Sequence, residues 1–203
     1  MAGKLSRGWL RAAIATALFG AVSACGPSGS SPPTRISPQA SDFSRIPAPC
    51  SLMSTGTLTA LGLATKAEPQ PAQREPGVTQ QTCSWGYGPG GGSSHRSLIV
   101  IVALFTAAGG QDPDAAARSG FQENISEQSQ ADSERGHAVS GLANGAVINH
   151  LDRGDVGSSQ VNAWDRNVVV TIDYEGLRSL KLSVADSGAL TATRVVLQAL
   201  SAS

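Results

Sequence analysis

The chain has no surplus of positive charge. Fifteen Lys and Arg stand against fifteen Asp and Glu in 203 residues, and charged residues make up only 15% of the total. With no basic stripe, nucleic acids and other polyanions are excluded as partners. The apolar stretch from Ala12 to Cys25 is shorter than the roughly 18–20 residues that cross a bilayer, which excludes a permanent transmembrane helix there. Histidine is sparse: His95, His137 and His150 show no H-x-x-x-H or His/carboxylate ligand spacing, so no metal site is expected. The serines form no G-x-S-x-G elbow. Gly86 to Gly91 matches G-x-G-x-x-G in letters. A strand-like segment follows instead of a helix, and Pro89 interrupts it, so it reads as a hairpin connection rather than a dinucleotide loop. His150 with Asp152 and Asp155 reads as a solvated loop, and Arg153-Gly154-Asp155 as a turn. No catalytic residue and no cofactor is expected.

What is present starts at the N-terminus. Lys4, Arg7 and Arg11 precede the apolar stretch, and Val22-Ser23-Ala24-Cys25-Gly26 closes it. The layout is that of a secretory signal, and its end resembles the bacterial lipobox, in which the Cys thiol is diacylglycerylated and becomes the mature N-terminus. Residues 1–24 are therefore expected to be removed, with Cys25 carrying the lipid that holds the protein on the extracytoplasmic face of the cell membrane. Two or more acyl chains, at about 0.8 kcal/mol per buried CH2, give stable attachment where one is marginal. Loss of Lys4, Arg7 and Arg11 leaves 12 basic against 15 acidic residues, a mature charge of −3. Residues 25–49 hold Pro27, Pro32, Pro33, Pro38, Pro47 and Pro49 among Ser, Gly and Thr, a tether reaching on the order of 25–30 Å as a flexible coil. Residues 50–203 have the size of one globular domain.

Only three cysteines occur. With Cys25 assigned to lipid, Cys50 and Cys83 form an even pair in an oxidising compartment. A disulfide between them would close a loop of about 34 residues, worth roughly 3.5–4 kcal/mol in the chain-entropy model. The competing reading, a metal-binding or reactive thiol pair, has no neighbouring His to support it.

Within the domain, Ser54 is placed to cap a short helix through Leu61, with Gly62 as its stop. Residues 66–79 read as a loop. Gln80–Tyr87 alternates as a strand with Cys83, Trp85 and Tyr87 on one face, which makes Trp85 a core residue or a ligand platform. Gly88–Ser94 is a connection, and Leu98–Phe105 a central strand covered on both faces. Asp112-Pro113-Asp114 opens a helix over Ala115–Gln128. Val147–His150 reads as a strand. Val161–Tyr174 reads as a hairpin turning at Asp165-Arg166-Asn167, with Val168, Val170, Ile172 and Tyr174 on one face and Asp173 and Glu175 as solubilising charges on the other. Asp186 or Ser187 caps a last helix, Gly188–Leu200, with a stripe of Leu190, Leu197 and Val196/Leu200. Helix, hairpin, helix, hairpin, helix defines an α+β fold: a mostly antiparallel sheet with helices packed on one face, one disulfide and a single domain.

Pro49-Cys50-Ser51-Leu52-Met53, Leu58-Thr59-Ala60-Leu61-Gly62 and Cys83-Ser84-Trp85 are similar to the pattern of the actinobacterial lipoproteins grouped as domain-of-unknown-function 3558. Those proteins look alike in lipobox, Pro/Ser-rich linker, a Pro-Cys-Ser-Leu-Leu opening, a Cys-Ser-Trp strand and a Gly-Leu-Gly-Asp-Ala-like turn. The turn corresponds to Gly141–Ala146 and departs from the pattern at Ala143 and Asn144, and Met53 stands in place of a Leu. The resemblance implies an extracytoplasmic domain with one disulfide and supplies no active site or ligand.

Anchor, tether and compact domain without a catalytic constellation point to a non-enzymatic, membrane-tethered module that binds an envelope partner. Trp164 is its candidate contact residue, since it does not share the parity of Val161 and Ala163 and can face outward; a core or edge-covering role is the alternative. The alternative function is a small-ligand receptor or carrier with a pocket between sheet and helices.

Overall fold

The computed structural model describes residues 42–86, 96–131, 136–150, 156–177 and 180–203. Cys25, Tyr87, the 88–94 connection, His95, Asp152, Asp155 and the Arg-Gly-Asp tripeptide lie outside them.

Helix α1 (Thr55–Ala60) starts where Ser54 Oγ accepts a hydrogen bond from the Thr57 amide, and ends at Leu61. Gly62 follows in the left-handed region at φ +71°. The Gly62 amide donates to Thr59 O and the Leu63 amide to Leu58 O, the paired closing bonds of a Schellman end. The stretch expected as a loop holds two short strands instead, β1 (Ala67–Pro69) and β2 (Gln73–Glu75), both antiparallel to β3 (Val78–Trp85). Pro69 and a fully exposed Gln-Arg-Glu run suit edge strands, where a missing donor and charged side chains are tolerated.

Beyond β3 come β4 (Arg96–Phe105), helix α2 (Pro113–Ala131), β5 (His137–Ala138), β6 (Gly145–His150), β7 (Val156–Asp165), β8 (Val168–Leu177) and helix α3 (Leu182–Ser201). The eight strands form one antiparallel sheet in the order β1-β3-β4-β8-β7-β6-β5, with β2 also on β3. The fold is α+β with one disulfide, as the pattern of elements predicts, and β7–β8 is the expected hairpin. Its two-residue turn begins with Arg166 at φ +52°.

One face of the sheet is apolar and dry. Cys83, Trp85, Leu98, Val100, Val102, Val161, Ala163, Val170, Ile172 and Tyr174 all sit there at 1% exposure or less. Helix α3 and the first turns of the domain cover it. The seam of α3 is made of small residues: Ala185, Gly188, Ala189 and Ala192, ahead of Val196 and Leu200. Leu190 and Leu197, expected in the stripe, are half-buried at its margin. Close approach explains the difference, because a Cβ on Gly188 would fall 2.7 Å from the Tyr174 ring. Helix α3 also starts at Leu182, six residues ahead of the expected Gly188: Lys181 holds the N-cap position, and Asp186 is spent on a tertiary contact described below.

Cys50, in a single 3-10 turn (Pro49–Ser51), bonds to Cys83 on β3 and ties the start of the domain to the dry face. The packed chain begins upstream of the Cys50 boundary. Ile46 and Pro49 are buried, and Asn167 Oδ1 accepts from the Phe43 amide while its Nδ2 donates to Phe43 O and Phe105 O. The Arg166 guanidinium lies 3.5 Å over the Phe43 ring.

Helix α2 is on the opposite face. Its Ala117 and Phe121 pack with Val169, whose neighbours Val168 and Val170 point the other way. The expectation of helices on one face thus holds for α1 and α3 and fails for α2. Length contributes to the reason: the connection from β4 to β5 is long enough to cross to the far side of the sheet, and α2 brings an apolar patch with which to cover it.

At the end of α1, Tyr174 Oη donates to Leu61 O at 2.6 Å and Arg96 Nη1 donates to the same oxygen at 3.0 Å. Burial pushes the Tyr174 phenol above its ordinary value, and the neighbouring Arg96 only partly offsets this. Because the folded value is the higher one, this contribution to stability is complete below about pH 9 and is lost as pH rises through and beyond about 10. Denaturant titrations of wild type and Tyr174→Phe across pH 8–11 should show a steeper alkaline loss in wild type. The variant should be weaker by about 1 kcal/mol at neutral pH, where it lacks one hydrogen bond.

Candidate functional site

The second face of the sheet is buried but not apolar. Alternation along β8 sends Val169, Thr171, Asp173 and Glu175 to this side, and register brings Ser158, Gln160 and Asn162 of β7, Ser97 of β4 and Asn149 of β6 beside them. Exposure is 0% at Asn162, 3% at Ser97, 7% at Asp173 and 6% at Glu175, with the others equally enclosed. A buried polar strip across four strands is the least expected feature of the molecule, since enclosed polar groups destabilise unless bonded.

Half of the strip is closed by an amide network. Gln128 of α2 lies along the same helix face as Ala117 and Phe121, a polar residue at a core position. Its Oε1 accepts from Asn149 Nδ2 at 2.5 Å and Asn162 Nδ2 at 2.8 Å, and its Nε2 donates to Gln160 Oε1. Asn162 Oδ1 accepts from Thr171 Oγ1 at 2.8 Å. The other half is acidic: Ser158 Oγ donates to Asp173 Oδ1 at 3.4 Å, and Glu175 stands across from both Ser158 and Ser97. Ser97 Oγ is buried without a hydrogen-bond partner. The reading of Asp173 and Glu175 as surface charges is therefore corrected. Parity was right, but the face they occupy is covered rather than solvated.

Trp164 shares this face at its other end, opposite Val169, so it does point away from Val161 and Ala163. The indole is half-buried, packed 6.4 Å from the Phe121 ring with the exposed Arg118 guanidinium 5.6 Å over it, and Nε1 donates to Arg166 O. Trp85, by contrast, is 1% exposed beside the disulfide and belongs to the core. Outside α2, a groove of about 220 Å³ runs between the β2–β3 turn and the helix, lined by Gly77, Phe105, Ala116, Gly120 and Glu123 among others. It lies below the roughly 300 Å³ at which small-molecule pockets begin.

Among the described residues, His150 meets an acid of α3. Its Nε2 lies 3.0 Å from Asp186 Oδ1, which also accepts from Ser159 Oγ at 2.6 Å. The carboxylate stands between serine and imidazole, so the hydroxyl proton is directed at Asp186 and not at a base that could carry it to a leaving group. The cluster docks the start of α3 on β6 and β7. Among the described residues, no three His, Cys, Asp or Glu side chains are arranged to hold a metal ion, and no helix is long and apolar enough to cross a membrane.

No protein-family model and no curated protein matches the chain. Among solved structures, the chain is similar to the extracellular domain of PknH from Mycobacterium tuberculosis, with a TM-score of 0.45 and 11% identity over 73% of this chain and 94% of that one.

Gln128→Leu should destabilise the domain by about 2–4 kcal/mol in urea unfolding, because it leaves the amides of Asn149, Gln160 and Asn162 short of partners in a water-poor site. Gln122→Leu, on the exposed side of the same helix, should stay within about 0.5 kcal/mol of wild type. Equal effects from the two would show that Gln128 is not buried in the network.

Proposed function

We propose that the chain is a lipid-anchored extracytoplasmic binding module, held on the cell membrane by the lipid on Cys25, that binds a small polar ligand on the second face of its sheet and performs no chemistry on it. The observation that carries the ligand reading is the buried polar strip, whose amides, hydroxyls and carboxylates offer both donors and acceptors in an enclosed site. The lipobox-like Val22–Gly26, the proline-bearing segment after it and a disulfide suited to an oxidising compartment support the location. The resemblance to the domain-of-unknown-function 3558 lipoproteins is in keeping with that location. The position of the Asp186 carboxylate between Ser159 and His150 is in keeping with the non-enzymatic reading.

Two measurements test it. In an actinobacterial host, wild type should label with palmitate and stay with the membrane fraction, while Cys25→Ala should do neither; equal fractionation would remove the anchor. The natively purified protein, denatured, should release a small polar compound that Thr171→Ile retains at under a tenth of the wild-type amount. Release of nothing from wild type would remove the ligand reading.

A partner protein at Trp164 is the second reading. The indole with an exposed arginine over it has the composition of an interface anchor at the rim of α2. Trp164→Phe keeps the packing on Phe121, while Arg118→Ala removes the guanidinium. On this reading each should weaken capture of one defined envelope protein by roughly tenfold or more. Unchanged capture in both would rule it out.

A further inference from the structure

We infer that the amide half of the strip is a receptor for a primary carboxamide, and that Gln128 of α2 fills it from within until a ligand bearing that group takes its place. This rests on the reading of the second face as a ligand surface and names the group its ligand presents. The sheet supplies the whole cradle. Asn149 Nδ2 and Asn162 Nδ2 converge on one oxygen, Gln128 Oε1, at 2.5 and 2.8 Å, and Gln160 Oε1 accepts from the Nε2 of the same carboxamide. Asn149 lies on β6, and Gln160 and Asn162 on β7, so none of the three belongs to the helix that fills the site. Register places Asn149 directly across from Gln160, and Asn162, two residues further along β7, shares its face. All four residues are at 7% exposure or less.

The cradle is set without α2. Thr171 Oγ1 of β8 donates to Asn162 Oδ1 at 2.8 Å, which orients the Asn162 amide and leaves its Nδ2 to donate elsewhere. That Nδ2 also reaches Gln160 Oε1 at 3.4 Å, keeping the acceptor beside the donors. Two donors and one acceptor held in this way select for a group of matching pattern. A primary carboxamide matches because its acceptor and its donors sit on separate atoms. A carboxylate would set a second oxygen against Gln160 Oε1 with no proton between them. A ketone has no donor, and a hydroxyl carries donor and acceptor on one atom. Apart from the amide bonds, α2 is held by the small apolar patch around Ala117, Phe121 and Val169. A ligand that bonds the cradle therefore competes with the helix, and its apparent affinity falls by the fraction of chains in which α2 has lifted.

The test uses the full mature chain with acetamide as probe, which reproduces the Gln128 side chain beyond its Cβ. Acetone and sodium acetate are the controls, with sodium chloride to match ionic strength. Gln128→Ala should bind acetamide saturably, with a Kd of the order of millimolar. Its melting temperature should rise by about 3–6 °C at tenfold excess over that Kd, and acetone or acetate should give under about a tenth of the rise. In wild type the site is filled, so acetamide should act on the opening of α2 instead. At tenfold excess over the same Kd it should speed hydrogen exchange of α2 amides about tenfold, leaving α3 amides at their rate in acetone. Should Gln128→Ala fail to fold, wild-type exchange followed as acetamide is raised decides alone. The assignment is overturned if acetone or acetate stabilises Gln128→Ala as acetamide does, or if acetamide does not stabilise it. It is also overturned if α2 exchange in wild type is the same in acetamide as in acetone. Recovery from wild type of a polar compound without a carboxamide would sink the assignment and leave the ligand reading standing; an empty face would sink both.

Discussion

A β-strand has two faces and cannot leave either one unaccounted for. In β8 the even-numbered residues Val168, Val170, Ile172 and Tyr174 sit in the dry core, and the odd-numbered Val169, Thr171, Asp173 and Glu175 sit under cover on the other side. Burying both faces of a central strand whose two sides differ in chemistry is the constraint on which the rest depends. The apolar side calls for a close, featureless lid, and α3 supplies it with a seam of Ala and Gly. The polar side calls for hydrogen-bond partners, and Gln128 supplies them for one half. Each cover is matched to the face it meets, which is the consistency expected of a sequence that specifies one fold.

The dry face holds the domain together. The Cys50–Cys83 bond, the Schellman end of α1 and the bonds from Tyr174 and Arg96 to Leu61 O all fasten the opening of the domain to it. Asn167 does the same for Phe43, gripping the chain where it enters the fold. The segment from Phe43 to Pro49 is therefore part of the packed body.

Much of this was legible in the residues. Ser54 and Gly62 announce α1 because capping is local chemistry. Cys83 and Trp85 announce the core because alternation fixes which residues share a face. Alternation does not say what covers a face. Asp173 and Glu175 looked like surface charges for that reason, since the strands beside them, β4 and β7, are brought in only by register. Gln128 carried a signal, being the polar member of the face that also holds Ala117 and Phe121, but a lone Gln on a helix is ordinary until its partners are known. Asp186 was read as a cap because a cap is what local sequence can see; its bonds to Ser159 and His150 cross 27 and 36 residues. The short edge strands β1 and β2 were hidden by Pro and charge, which are the residues that edges tolerate.

The division of labour between the faces has a dynamic consequence. Helix α2 is held by a small apolar patch and an amide network, α3 by a continuous apolar seam, so α2 should be the cover that opens first. Native-state hydrogen exchange, followed residue by residue in increasing denaturant, tests this directly. The account predicts that α2 amides exchange through a partial opening that costs clearly less than global unfolding, while those of α3, β4 and β8 exchange only when the whole domain unfolds. A single opening free energy shared by α2 and α3 would contradict it.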